Sequence, residues 1–206
     1  MAKKRGKDEE KLNYSAAVRE LKADGPERLY LLWGPEDYLR EQYLTQLKKI
    51  CLPEGEDDFS YKRMDGPGLD PIRLREALDA IPFMSERSFV ELRNVDINKL
   101  ANADECMKLL EDIPDYCTVA FVQSTQFEPD GRLKFVKALR GEAKELKFTQ
   151  QSQGMLTDWI VRRFAAAGKS IELDAAQRLI FISGDLMSRL IPEIDKIAAY
   201  AKGERV

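Results

Sequence analysis

The residues best placed to do chemistry are those of the turn Gly34-Pro35-Glu36-Asp37, directly after the apolar run Arg28–Trp33 (RLYLLW). A strand that turns through glycine into a helix is where nucleotide folds cradle phosphate on backbone N–H groups. A working phosphate loop also needs Gly-Lys-Ser/Thr to reach the phosphates and magnesium. This turn carries one glycine, no lysine, no hydroxyl and two acids. Glu36 and Asp37 at a helix N-terminus answer the helix dipole themselves and repel a triphosphate. The residues read as a strand-to-helix turn with acidic caps, in the right position for phosphate but without its chemistry. The acid that would organise magnesium is missing in the same way. The strand-like Ser88–Asn94 reaches Asp96 only after Val95, with no Asp-Glu pair, and Cys117–Gln123 runs into Ser124-Thr125, a polar sensor or a loop cap. No metal site and no cofactor is expected.

Two further groups stand out. Ile81-Pro82-Phe83-Met84-Ser85-Glu86-Arg87 follows a helix that its own proline ends, because the residue before proline is pushed out of the α region. Phe83 and Met84 therefore fall at a turn, where neither helical nor strand periodicity asks for large apolar side chains. They fit a loop tucked on the sheet edge, or an exposed plug for a pocket on another protein. Arg132, Lys134, Lys137, Arg140, Lys144 and Lys147 form a basic cluster, with Arg132, Lys137 and Arg140 near one face of a helix. That pattern fits a solvated face, or a surface that tracks a nucleic-acid backbone.

Composition removes most other chemistry. With no histidine among 206 residues, Ser-His-Asp and Cys-His catalysis and every His-containing zinc site are excluded. Cys51, Cys106 and Cys117 are an odd count without CxxC spacing, as expected of buried thiols in a reducing cytoplasm. A formal net charge of −3 argues against a generally basic nucleic-acid binder. No apolar stretch approaches the ~18 residues of a membrane span. The basic start Met1–Lys7 leads into acids and not an apolar core, so no signal peptide is expected.

These groups need elements to hold them. Residues 1–13 read as a charged tail, and a short helix Tyr14–Ala23 ends at Asp24-Gly25-Pro26. RLYLLW has the continuous apolar character of a strand covered on both faces. A helix follows Gly34 with Leu39, Tyr43, Leu47 and Ile50 at helical spacing. Strands are expected at Phe59–Met64, Ser88–Leu92, Cys117–Gln123 and Glu145–Phe148. Between them lie a helix capped by Asp70-Pro71 and carrying Leu74, Leu78 and Ile81, one around Ala103–Asp112, and one at Arg132–Arg140. Alternation of this kind predicts an α/β fold with a doubly wound, parallel, five-stranded sheet. From Ser152 only helical patterns remain. Leu156, Trp159, Ile160 and Phe164 form one face closed by Gly168. Asp174-x-x-Gln177 resembles a capping box for a second helix closed by Gly184. Leu186, Leu190, Ile194 and Ile197 line a third, which Pro192 should kink or split. Two domains are expected, α/β over 14–150 and a three-helix lid over 151–206.

An α/β domain with a ruined phosphate loop and a three-helix lid resembles a degenerate AAA+ module. The stretches LYLLWGPEDYL (Leu29–Leu39), LREALDAIPFMSERSFVELRNV (Leu74–Val95) and GDLMSRLIPEIDKIAAY (Gly184–Tyr200) are similar to the delta subunit family of the bacterial DNA polymerase III clamp loader. They carry its strand–Gly-x-Glu-x-Tyr-Leu opening, its small-x-Pro-aromatic-x-x-x-Arg clamp-binding turn, and its Gly-Asp-Leu…Glu-x-x-Lys lid helix. The resemblance implies an AAA+ fold without ATPase activity that binds the sliding clamp (beta) and holds the ring open for loading onto primed DNA. It implies other clamp loader subunits as partners, no membrane, and a cytoplasmic location. Its plug falls on Phe83 and Met84, flanked by Ile81 and Pro82, with Met84 where the family often has an aromatic. The family also carries a helical collar domain after the lid, so the chain ending at Val206 is expected to be a fragment without it. The competing readings are an active P-loop-like NTPase and an AAA+-like nucleic-acid adaptor working through Arg132–Lys147.

Overall fold

A computed structural model of the chain describes residues 12–53, 55, 60–82 and 85–206. Asn13, assigned to the tail from sequence, instead caps the first helix α1 (Tyr14–Asp24), its side chain accepting the Ala16 N–H at 3.1 Å. Strand β1 (Leu29–Trp33) follows, then α2 (Asp37–Cys51), β2 (Tyr61–Asp65), α3 (Pro71–Leu78), β3 (Ser88–Arg93), α4 (Ala103–Glu111), β4 (Cys117–Val122), α5 (Lys134–Glu142) and β5 (Lys144–Lys147). The remainder is helical: α6 (Gln153–Ala166), α7 (Leu173–Ser183) and α8 (Met187–Tyr200).

The five strands form one parallel sheet in the order β2-β3-β4-β1-β5, as the alternating pattern requires. Alternation along β1 explains its continuous apolar sequence. Tyr30 and Leu32 face α1 and α2, where Leu21, Tyr43, Leu44 and Leu47 are buried. Leu29, Leu31 and Trp33 face the other way, against Leu74, Leu110, Val136 and Leu139 of α3, α4 and α5. The first of these apolar layers runs on without a break into α6, α7 and α8 through Leu156, Ile160, Phe164, Leu190 and Ile194. Asp70 caps α3 as expected, accepting the Ile72 N–H at 2.9 Å ahead of Pro71. Cys51, Cys106 and Cys117 are free, buried thiols, and burial pushes Cys51 and Cys106 up to about 11.

Four local expectations are corrected. Helix α3 stops at Leu78, so Ile81 is not on its apolar face but 75% exposed beyond it. Strand β2 starts at Tyr61, and Phe59, expected in it, lies outside the described residues. The capping box at Asp174 and Gln177 does not form. Helix α7 begins earlier, at Leu173, because Ser170 bridges to Arg205 and Arg205 pairs with Glu172, fixing the chain one turn upstream. Of the two outcomes expected of Pro192, the split does not occur: α8 runs through it from Met187 to Tyr200. Burial of Met187, Leu190 and Ile194 on one face outweighs the one backbone hydrogen bond that proline removes.

Candidate functional site

The turn after β1 is closed by the protein's own backbone. Phe148, just past β5, donates its N–H to Trp33 O at 2.7 Å, and its carbonyl accepts the Glu36 N–H at 3.0 Å. Gly34 adopts φ +119°, and a Cβ there would lie 2.4 Å from Phe148 O. The glycine is needed for the close approach of β5, a role that glycine fills wherever two backbones nearly touch. The Gly34 carbonyl accepts the Arg40 guanidinium at 2.8 Å. An amide that a phosphate loop would aim at its ligand is thus engaged by a strand end.

The acids of this turn behave differently from each other. Asp37 accepts the Tyr38 N–H at 2.9 Å in the first turn of α2. Glu36, read from sequence as a cap of its own helix, makes no such bond and is fully buried. Its carboxylate instead accepts the backbone N–H of Met187 at 3.3 Å, at the start of α8. Burial pushes this carboxyl up to about 7. The Met187 N–H pulls it back, as does that of Tyr38, while Asp37 and Asp185 raise it further. Arg40 is also buried, and burial holds its guanidinium below the ordinary range against the opposing pull of Glu41, Asp37 and Glu36.

The positions where a phosphate-loop fold would place its metal-organising acid and polar sensor are closed locally as well. Asp96 accepts the Asn98 N–H at 3.2 Å and donates its own N–H to Pro67 O at 2.9 Å, so it shapes a loop. Ser124 and Thr125 are exposed, and the Ser124 carbonyl accepts the Phe127 N–H at 3.2 Å in a turn. Among the described residues no three Cys, Asp or Glu side chains gather as metal ligands.

The buried acid of the third strand is Glu91, which strand-end reasoning overlooked. It lies inside β3, facing α2, with Arg93, Tyr61 and Lys48 around it. Burial alone would raise its carboxyl, but hydrogen bonds from Arg93 and Tyr61 and the nearby cations outweigh burial and hold it below its usual value. Arg93 continues the network to Glu41 at 2.6 Å. The signal was present in the spacing: Glu41 and Lys48 are seven apart on α2, and Glu91 and Arg93 share one face of a strand.

The turn between α3 and β3 is fastened at both ends. The Leu78 carbonyl accepts the Tyr116 hydroxyl at 3.4 Å, and the Ser88 N–H bonds Tyr116 O at 2.8 Å. The Ser85 hydroxyl meets the Ser60 hydroxyl at 2.8 Å and the Arg87 carbonyl at 2.7 Å. Between these ties Ile81 is exposed and Pro82 half-buried. Phe83 and Met84, the expected plug, lie outside the described residues.

Four residues of the basic cluster pair with acids. Arg132 precedes α5 and pairs with Asp130 at 2.7 Å, while Lys134 pairs with Asp104 at 2.7 Å. Arg140 pairs with Glu145 at 2.9 Å and lies over the Trp33 ring, which Lys147 also covers. Lys144 meets Glu20 at 2.7 Å. Lys137 is exposed on α5. Acidic partners therefore neutralise most of the charge that a phosphate backbone would need.

A five-stranded parallel sheet in the order β2-β3-β4-β1-β5, followed by three packed helices, defines the fold. Solved structures share it. The Thermotoga maritima RuvB Holliday junction branch migration motor aligns with a TM-score of 0.60 and 18% identity, over 94% of this chain and 63% of that one. The Bacillus subtilis DNA clamp loader delta protein aligns with a TM-score of 0.66 and 20% identity, over 94% of this chain and 59% of that one. In sequence, the Bacillus subtilis DNA polymerase III subunit delta is 24% identical over 182 residues, 84% of this chain and 52% of the relative. The chain thus spans about half the length of that relative. Residues 30–149 match the family of the DNA polymerase III delta subunit, and the chain belongs to that family.

Proposed function

We propose that this chain is the clamp-binding part of a clamp loader delta subunit, acting by binding and without catalysis. The observation that carries the reading is Ile81, a large apolar side chain 75% exposed on a turn fastened at both ends. Membership of the DNA polymerase III delta subunit family supports it. The partner is the sliding clamp. Ile81, Pro82, Phe83 and Met84 enter an apolar pocket on it and favour the open ring, which is then placed on primed DNA. The other loader subunits complete the assembly, in the bacterial cytoplasm. The chain divides near Gln150 into the α/β domain that carries the turn and a helical lid.

The engaged amide of the Gly34 turn, together with Glu36 and Asp37, weighs against an NTPase. The paired cations around α5 weigh against a nucleic-acid adaptor. Co-elution of the chain with a bacterial sliding clamp tests the reading. Burying each plug side chain contributes roughly 1.5–3 kcal/mol. Phe83→Ala/Met84→Ala should therefore weaken binding by about 3–6 kcal/mol, some two to four decades in Kd, with the melting temperature nearly unchanged. Clamp affinity that survives the double change in a folded protein refutes the plug, and collapse of stability assigns those residues to the core.

A further inference from the structure

Helix α8 begins without a cap of its own. Its N-cap is Leu186, whose side chain has no acceptor, although the first N–H groups of a helix need partners. The Met187 N–H finds one at Glu36, 151 positions away in sequence, in a contact buried from solvent. Glu36 is held at its other end by β5, through the bond from its own N–H to Phe148 O at 3.0 Å. One residue thus joins the sheet, the phosphate-loop position and the first turn of a lid helix. The second carboxylate oxygen, Oε1, is buried without a hydrogen-bond partner.

We propose that the Glu36 carboxyl is a proton-sensitive latch that fixes helices α6–α8 on the sheet, setting the chain's own acid where a phosphate loop would hold a bound anion. The latch needs no nucleotide, because a side chain supplies the acceptor that the α8 terminus lacks. Its environment makes it respond to protons. Asp37 and Arg40 face it from α2, Asp185 faces it from the segment before α8, and Phe148, just past β5, accepts its backbone N–H. Burial and the two acids outweigh the Met187 and Tyr38 N–H groups, so the docked carboxyl holds its proton up to about pH 7, against an ordinary value of 4.5 when exposed. The docked state binds more protons than the undocked state between those values. Docking is therefore strongest in acid and weakens as pH rises from 4.5 through 7. From those two values the docking equilibrium falls roughly 70-fold between pH 5 and pH 8.

Amide hydrogen exchange on the whole chain tests this, comparing the first turn of α8 with β4 across that pH range after correction for intrinsic rates. In the unaltered protein the protection of α8 relative to β4 should fall with pH. Glu36→Gln keeps an acceptor for the Met187 N–H but cannot titrate, so its relative protection should be flat. Glu36→Ala should expose α8 at every pH while β4 stays protected. An unaltered pH slope in Glu36→Gln overturns the proposal, as does equal loss of protection in β4 and α8 of Glu36→Ala. Should Glu36→Ala fail to fold, the slope of Glu36→Gln decides alone.

Discussion

Replacing Gly34 with alanine separates a structural glycine from a ligand-binding one. The new Cβ would stand 2.4 Å from Phe148 O and 2.8 Å from Phe148 N, both backbone atoms that cannot rotate aside. Relief requires β5 to move off β1, which breaks the Phe148–Trp33 and Glu36–Phe148 bonds at 2.7 and 3.0 Å. Those two bonds contribute about 1 kcal/mol each. The φ of +119° adds strain for any residue with a Cβ, of order 1–3 kcal/mol. Gly34→Ala should therefore lose about 3–5 kcal/mol in urea unfolding. Gly66→Ala provides the control, since Gly66 has φ +134° with nothing within 4 Å of its Cβ position. It carries the strain without the collision and should lose about 2 kcal/mol less. Equal losses in the two variants would refute the claim that β5 packing dictates Gly34.

Two further outcomes follow from the same geometry. Calorimetric titration with Mg-ATP should give no binding at millimolar nucleotide, because Glu36 and Asp37 occupy the helix start and the Glu36 amide is engaged; micromolar binding would contradict this. Trp159 is half-buried, 5.8 Å from the Tyr38 ring with Arg163 over its face. Trp159→Ala should therefore lose about 1–2 kcal/mol in thermal unfolding, below the ~3–5 kcal/mol of a fully buried ring, and a loss in that higher range would place the ring in the core.

Much of the fold could be read from short-range pattern. The five strands and the helices between them follow from continuous apolar runs alternating with helical spacing, and Asp70-Pro71 fixed the start of α3 because a cap is a local event. The misreadings arose where distant chain decides the outcome. The start of α7 depends on Arg205, 33 positions from the Glu172 it pairs with. Pro192 sits inside α8 because an apolar face holds the helix, which local propensity does not register. At the site, the departure from a phosphate-loop sequence was legible from residue types alone. The destination of Glu36 was not, since its partner lies 151 residues away. For the basic cluster, a string of cations says nothing about the acids that fold beside it, such as Asp104 and Glu20.

The central claim is that this module opens a ring by binding it, and contact alone does not open one. A binder shifts an equilibrium only by the ratio of its affinities for the two states, and equal affinity shifts nothing. The direct measurement is calorimetric titration of the chain against an intact sliding clamp and against a clamp whose subunit interface is weakened so that it stands open. Binding without nucleotide, and tighter to the opened clamp than to the closed ring, is the predicted result. Equal affinity for both, or no affinity for either, would contradict it.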